Sequence, residues 1–115
     1  MADDCLFCKI LAGEVPAQKA YEDDLAIAFS DINPQAPHHL LIIPKKHIAS
    51  INELEEGDEA IVGHLFTVAK KITAELGEAE PGYRVVVNTN ARAGQTVFHI
   101  HMHLLAGRAL GWPPG

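Results

Sequence analysis

Residues 97–105, Val-Phe-His-Ile-His-Met-His-Leu-Leu, alternate apolar and imidazole side chains with a period of two. Successive side chains of a strand point to opposite sides of a sheet, whereas residues two apart on a helix fall on different faces, so this stretch predicts a β-strand. Phe98, Ile100, Met102 and Leu104 would line one side, and His99, His101 and His103 the other. A strand apolar along one side needs neighbouring strands and a second layer to cover it.

The rest of the chain provides both. Between residues 58 and 77, Ile61, Leu65, Val68, Ile72 and Leu76 recur at steps of three or four while Lys70, Lys71 and Glu75 lie off that line, which predicts one long amphipathic helix. Residues 5–12 read as a short helix, with Asp3 or Asp4 as N-cap, Leu6, Phe7, Ile10 and Leu11 as its apolar positions and Gly13 in its C-terminal turn. Residues 19–22 and 25–30 read as strands of an antiparallel hairpin joined at Asp23-Asp24. Pro34 and Pro37 make 32–37 a loop, and the apolar run 39–43, ended by Pro44, suits a buried strand. Valine-rich 83–88 is a further strand, 89–95 a loop, and 107–115 a tail ending Trp112-Pro113-Pro114-Gly115. These elements predict an α+β fold in a single domain, residues 1–115.

Composition narrows the function. A core drawn from 115 residues at 48% hydrophobic content is modest, so an oligomer interface would supplement it. A formal charge of -6 works against nucleic acid and anionic membrane as partners, and any anionic ligand must be held by local donors. No apolar stretch approaches the ~20 residues of a membrane span, and the acidic start is unlike a secretory signal, so a cytoplasmic location is expected. In that reducing compartment, Cys5 and Cys8 are left for metal binding, redox chemistry or plain burial.

Three histidines at ~6.5–7 Å intervals leave several readings open. They form a solvent-facing strand side, or hold a zinc through i and i+2 imidazoles as in a zinc-dependent hydrolase, or divide covalent attack and proton transfer between them. His38 and His39 enter an apolar strand, where at least one is expected to be a structural hydrogen-bonding residue, and His64 is expected to be partly buried and structural. Asn88, Gly94, Gln95 and Thr96 precede the histidine strand, where a glycine-containing loop can turn donors toward a phosphate. Asp31, at a strand end, suits either ribose hydroxyls or a turn.

The stretch His99-Ile100-His101-Met102-His103-Leu104-Leu105 resembles the histidine triad signature. Similarity continues through Phe7-Cys8-Lys9-Ile10, Glu22-Asp23-Asp24, residues 31–37, Ile43-Pro44-Lys45-Lys46-His47 and Trp112-Pro113-Pro114-Gly115, the last of which marks the Hint branch of that family. The resemblance implies a HIT-like fold: a five-stranded antiparallel sheet with one long and one short helix, the sheets of two protomers joined across a homodimer. It implies a purine nucleoside phosphoramidase that cleaves AMP from an amine or an acyl group through an adenylyl-histidine, with an AMP-binding interaction protein of little catalysis as the alternative. His101 would be the nucleophile, assisted by His103, His99, His47 and Thr96. Leu6, Phe7, Ile10, Phe29 and Ile32 would surround the purine, and Asp31 would bind ribose. Asn88, Gly94, Gln95, Thr96, Val97 and His103 would contact phosphate, and Trp112 would serve the leaving-group side of the partner's site. No cofactor is implied for the chemistry. Cys5, Cys8, His47 and His99 would supply a structural zinc site, burial of the two cysteines being the other reading. Thr96 stands where many members carry serine, and Ala106 replaces a usual glycine, a change expected to shift the entry to the tail.

Overall fold

In the computed structural model, which describes residues 4–115, the apolar run at the middle of the sequence becomes the middle of a sheet. The elements in order are α1 (Leu6–Leu11), β1 (Lys19–Glu22), β2 (Ala26–Ser30), β3 (His38–Pro44), α2 (Glu59–Leu76), β4 (Tyr83–Val86), α3 (Asn90–Ala93) and β5 (Met102–Ala106). Five strands pair antiparallel in the order β1-β2-β3-β5-β4. The α+β sheet with one long and one short N-terminal helix is the architecture the sequence implied.

Both faces of β2 and β3 are covered, which explains their unbroken hydrophobicity. Ala26, Ala28, Leu40, Ile42, Met102 and Leu104 face α2, packing on Leu65, Val68, Ala69 and Ile72. Ile27, Phe29, Leu41 and Ile43 face the other way, against Phe7 and Ile10 of α1. The small alanines of β2 let α2 lie close, while its Ile27 and Phe29 fill the wider space under the short helix. Asp23 binds the β1–β2 turn to α2: its Oδ1 accepts from the amides of Leu25 and Ala26, and its Oδ2 lies 2.6 Å from Nε2 of His64. His64 is thus partly buried and structural, as expected.

Three expectations are corrected. The N-cap of α1 is Cys5, whose Sγ accepts from the Cys8 amide, and not Asp4; Asp3 lies outside the described residues. The loop 89–95 contains the one-turn helix α3, closed by Gly94 at φ +98°. The histidine strand begins only at Met102, because β3 ends at Pro44, which has no amide proton to extend the ladder. Ahead of it, the Ile100 amide donates to Ile48 O in the loop after β3, and Phe98 is exposed rather than on a buried face. Ala106 pairs with His38 and Tyr83, and Gly107 at φ +99° makes the turn into the tail, where a Cβ would meet Pro37 at 2.8 Å.

Candidate active site

The start of β5 and the helix α1 enclose a cavity of about 860 Å³. Leu6, Phe7 and Ile10 enter it from α1, Phe29, Asp31 and Ile32 from the end of β2, and Thr96, Val97, His101 and His103 from the segment leading into β5. Ten residues singled out in the sequence therefore meet in one place. Val15, Pro16, Ala17 and Leu41 also line it, positions that periodicity alone does not mark as site residues. Its walls are largely apolar, with Gln18, Ser30, Asp31, Thr96, His101 and His103 as the side chains able to fix a polar ligand.

His101 is buried and its ring is held from two directions. Nδ1 donates to the carbonyl of His99 at 2.9 Å, and Phe7 packs edge-on at 5.1 Å between ring centroids. With its proton on Nδ1, the neutral ring carries its lone pair on Nε2. Burial lowers the His101 pKa, partly offset by the His99 carbonyl and the charge of Asp31, so the ring is neutral and nucleophilic at neutral pH. The ring of His103 is 5.1 Å away, and burial together with His101 and His39 pushes its pKa down to about 4.

Asp31 fulfils the turn reading, since its Oδ1 accepts from the Asn33 amide at 2.8 Å, and still borders the cavity. Asn88, Gly94 and Gln95 do not line it. The Gln95 side chain is buried and fully engaged: Oε1 accepts from the Asn90 amide, and Nε2 donates to the carbonyls of Ala49 and Val97. Its amide bonds Asn90 O, so Gln95 braces the loop rather than offering donors to a ligand.

His99 and His47 lie behind the cavity. The His99 ring is fully buried, with Nε2 donating to Pro44 O at 2.8 Å, so its Nδ1 bears the lone pair. That Nδ1 lies 3.2 Å from Nδ1 of His47, 3.4 Å from Sγ of Cys5 and 3.5 Å from Sγ of Cys8, while Cys8 Sγ is 3.3 Å from His47 Nδ1. Tetrahedral zinc with ordinary bond lengths separates two nitrogens by about 3.4 Å and nitrogen from sulfur by about 3.5 Å. Two thiols, two imidazole nitrogens and a carbonyl fixing the tautomer of one of them fit a closed zinc site. The lone pair of His99 and Nδ1 of His47 face this cluster, and His99 hydrogen-bonds His101 through its backbone carbonyl. Trp112 is 82% exposed in the tail, far from burial in its own chain.

This geometry has close counterparts. The HIT domain matches residues 12–110. Purine nucleoside phosphoramidase of Escherichia coli (strain K12) is 50% identical over 111 residues, 96% of this chain and 93% of that protein. An uncharacterized HIT-like protein of Synechocystis sp. is 50% identical over the full length of both chains. The crystal structure of a HIT family hydrolase from Legionella pneumophila Philadelphia 1 superposes with a TM-score of 0.95 at 54% identity, covering 97% of this chain and 100% of that one. With its fold and nearly its whole length matched in this way, the chain belongs to the HIT domain family and is a homologue of HIT family hydrolases.

Proposed function

We propose that this protein is a purine nucleoside phosphoramidase that cleaves AMP from an amine, or from an acyl group, through an adenylyl-histidine on His101. The observation that carries the reading is the fixed tautomer of His101: its Nδ1–H is tied to His99 O, and its Nε2 lone pair belongs to a ring lining a nucleotide-sized cavity. Similarity to the purine nucleoside phosphoramidase of Escherichia coli supports the substrate class.

In this reading Leu6, Phe7, Ile10, Phe29 and Ile32 embrace the purine and Asp31 accepts from ribose hydroxyls. Thr96, Val97 and His103 serve the phosphate, with Gly94 and Gln95 holding the loop that bears Thr96. Nε2 of His101 attacks the α-phosphorus, a P–N bond to histidine forms, and the bond to the leaving nitrogen or acyl oxygen breaks. In this reading the Thr96 hydroxyl passes a proton to a leaving amine and recovers one from the water that then attacks phosphorus, breaks its bond to Nε2 and frees AMP and His101. Thr96, Val97 and Leu6 also border a second cavity of about 430 Å³, which gives the leaving group room beyond the nucleotide.

Zinc belongs to the structure rather than to this chemistry. Cys5, Cys8, His47 and His99 would hold it, tying α1 to the loop after β3 and to the carbonyl that anchors His101; no further cofactor is required. A homodimer completes the proposal, supported by the exposed side chains of Phe66 on α2, Tyr83 on the edge strand β4 and Trp112 in the tail. A cytoplasmic location agrees with the absence, among the described residues, of any helix long and apolar enough to cross a membrane. His101→Ala tests the reading: turnover of adenosine 5'-phosphoramidate should vanish while AMP affinity persists, and substantial residual turnover would refute it.

A further inference from the structure

His39, in β3, is 7% exposed and is not among the residues that line the cavity. Its Nδ1 lies 3.0 Å from the backbone nitrogen of Gln35. A backbone amide only donates, so Nδ1 is the unprotonated nitrogen, and a neutral His39 carries its proton on Nε2. Burial lowers the His39 pKa, against the pull of Asp31, and so keeps the ring neutral. That Nε2 sits 3.0 Å from Nδ1 of His103 and 3.4 Å from Oδ2 of Asp31. A nitrogen pair at 3.0 Å shares one proton. Since His39 supplies it, Nδ1 of His103 accepts, and the proton of a neutral His103 stands on Nε2.

The same accounting separates this cluster from the cysteine cluster. Asp31, His39 and His103 bring three ligand atoms together, but the single lone pair of neutral His39 is already taken by the Gln35 amide, so the ring has none for a metal. The arrangement is a relay of donors, running from the Gln35 amide through His39 to His103.

We propose that His39 is a positioning residue for phosphoryl transfer: by donating to Nδ1 of His103 it holds His103 as the Nε2–H tautomer, which donates to a phosphate oxygen instead of turning a lone pair against it. The inference rests on the reading of His103 as a phosphate ligand. Asp31 makes the device necessary. Without His39, the carboxylate of Asp31, within 4.8 Å of a ring nitrogen of His103, attracts a proton to that side of the ring and draws it into the opposite tautomer.

Two glutamine-family amides separate this role from simple packing. The amide nitrogen of His39→Gln reaches the place of Nε2 and donates to His103, whereas the shorter His39→Asn reaches only the place of Nδ1, satisfying Gln35 and leaving His103 without a donor. Nitrogen-15 NMR of ring-labelled protein reads the tautomer of His103 directly in the free protein. The wild type and His39→Gln should show Nδ1 unprotonated, with kcat/KM for adenosine 5'-phosphoramidate within about threefold of each other; His39→Asn and His39→Leu should show a shift toward protonated Nδ1 and a loss of about tenfold or more. A wild-type His103 protonated on Nδ1, an unchanged tautomer in both His39→Asn and His39→Leu, or a changed tautomer with unchanged turnover would each overturn the proposal. Wild-type protein with the expected tautomer but no hydrolysis of any adenosine phosphoramidate would instead overturn the assigned function and leave the hydrogen-bond relay standing.

Discussion

Replacing Cys5 and Cys8 together by serine isolates the metal from every other role of these residues. Serine is a good N-cap, so the hydrogen bond that the Cys5 side chain accepts from the Cys8 amide at the start of α1 survives the exchange. What is lost is the pair of sulfurs standing 3.3–3.5 Å from the two imidazole nitrogens. Zinc held a hundredfold above its Kd stabilises the folded state by about 2.7 kcal/mol. In a domain of this length each kcal/mol moves Tm by about 4 °C, which predicts a fall of about 10 °C. Elemental analysis of protein purified without added metal should find near one zinc per wild-type chain and none in the variant, and calorimetry should find the lower Tm only in the variant or after chelation. Turnover measured well below the transition should stay within about tenfold, because the nucleophile is an imidazole that does not touch the ion. Wild-type protein without zinc, or zinc retained by the double variant, would refute the four-ligand site. A well-folded variant with no turnover would refute a purely structural ion.

Asp31→Asn keeps the acceptor for the Asn33 amide but removes the charge, so AMP affinity by calorimetry should fall about tenfold, with a smaller change in kcat; unchanged affinity would exclude the ribose role. His39 and His103 are held neutral in the fold, while in the unfolded chain they take up protons near pH 6.5. Their contribution to stability is therefore complete above pH 6.5 and lost as pH falls through the folded pKa, about 4 for His103, so Tm should decline from pH 6.5 downward; a Tm flat to pH 4.5 would contradict this. Truncation after Gly111 retains the bond from Arg84 to the Gly111 carbonyl and removes Trp112, so AMP affinity should persist while relative kcat/KM among amine-linked substrates shifts. Equal scaling for all substrates, with AMP binding lost in proportion, would make the tail a stability element.

Local pattern revealed most of the fold because most of its elements answer to local pattern. The three-and-four spacing of α2 and the uninterrupted apolar run of β3 each describe a single element meeting a single kind of neighbour. Residues 97–105 were harder, because their alternation describes a strand only from Met102 onward, while Phe98 is exposed and His99 and Ile100 are both buried. The ladder to β3 stops at Met102, where proline at the end of β3 leaves nothing to extend it, and only a tertiary fact could show that. The same limit hid two roles. Gln95 looks like a phosphate ligand in sequence, yet its three bonds reach to Asn90, Ala49 and Val97 across a loop that no spacing predicts. His39 was legible as a hydrogen-bonding residue beside Pro37, but its partner His103 is 64 residues away, joined by the β3–β5 pairing. The spacing of Cys5 and Cys8 left metal binding, redox chemistry and burial open, His47 and His99 as further ligands came from the family resemblance, and the distances among all four became visible only once α1 was packed over the sheet.

The covalent intermediate is the central claim, and it is open to direct observation. Wild-type protein mixed with adenosine 5'-phosphoramidate, quenched within milliseconds and digested, should yield by mass spectrometry an AMP adduct on the peptide that carries His101, with fragmentation placing it on that histidine and no adduct in His101→Ala. Turnover without any histidyl-AMP at times when product is accumulating, or an adduct that persists in His101→Ala, would contradict the account.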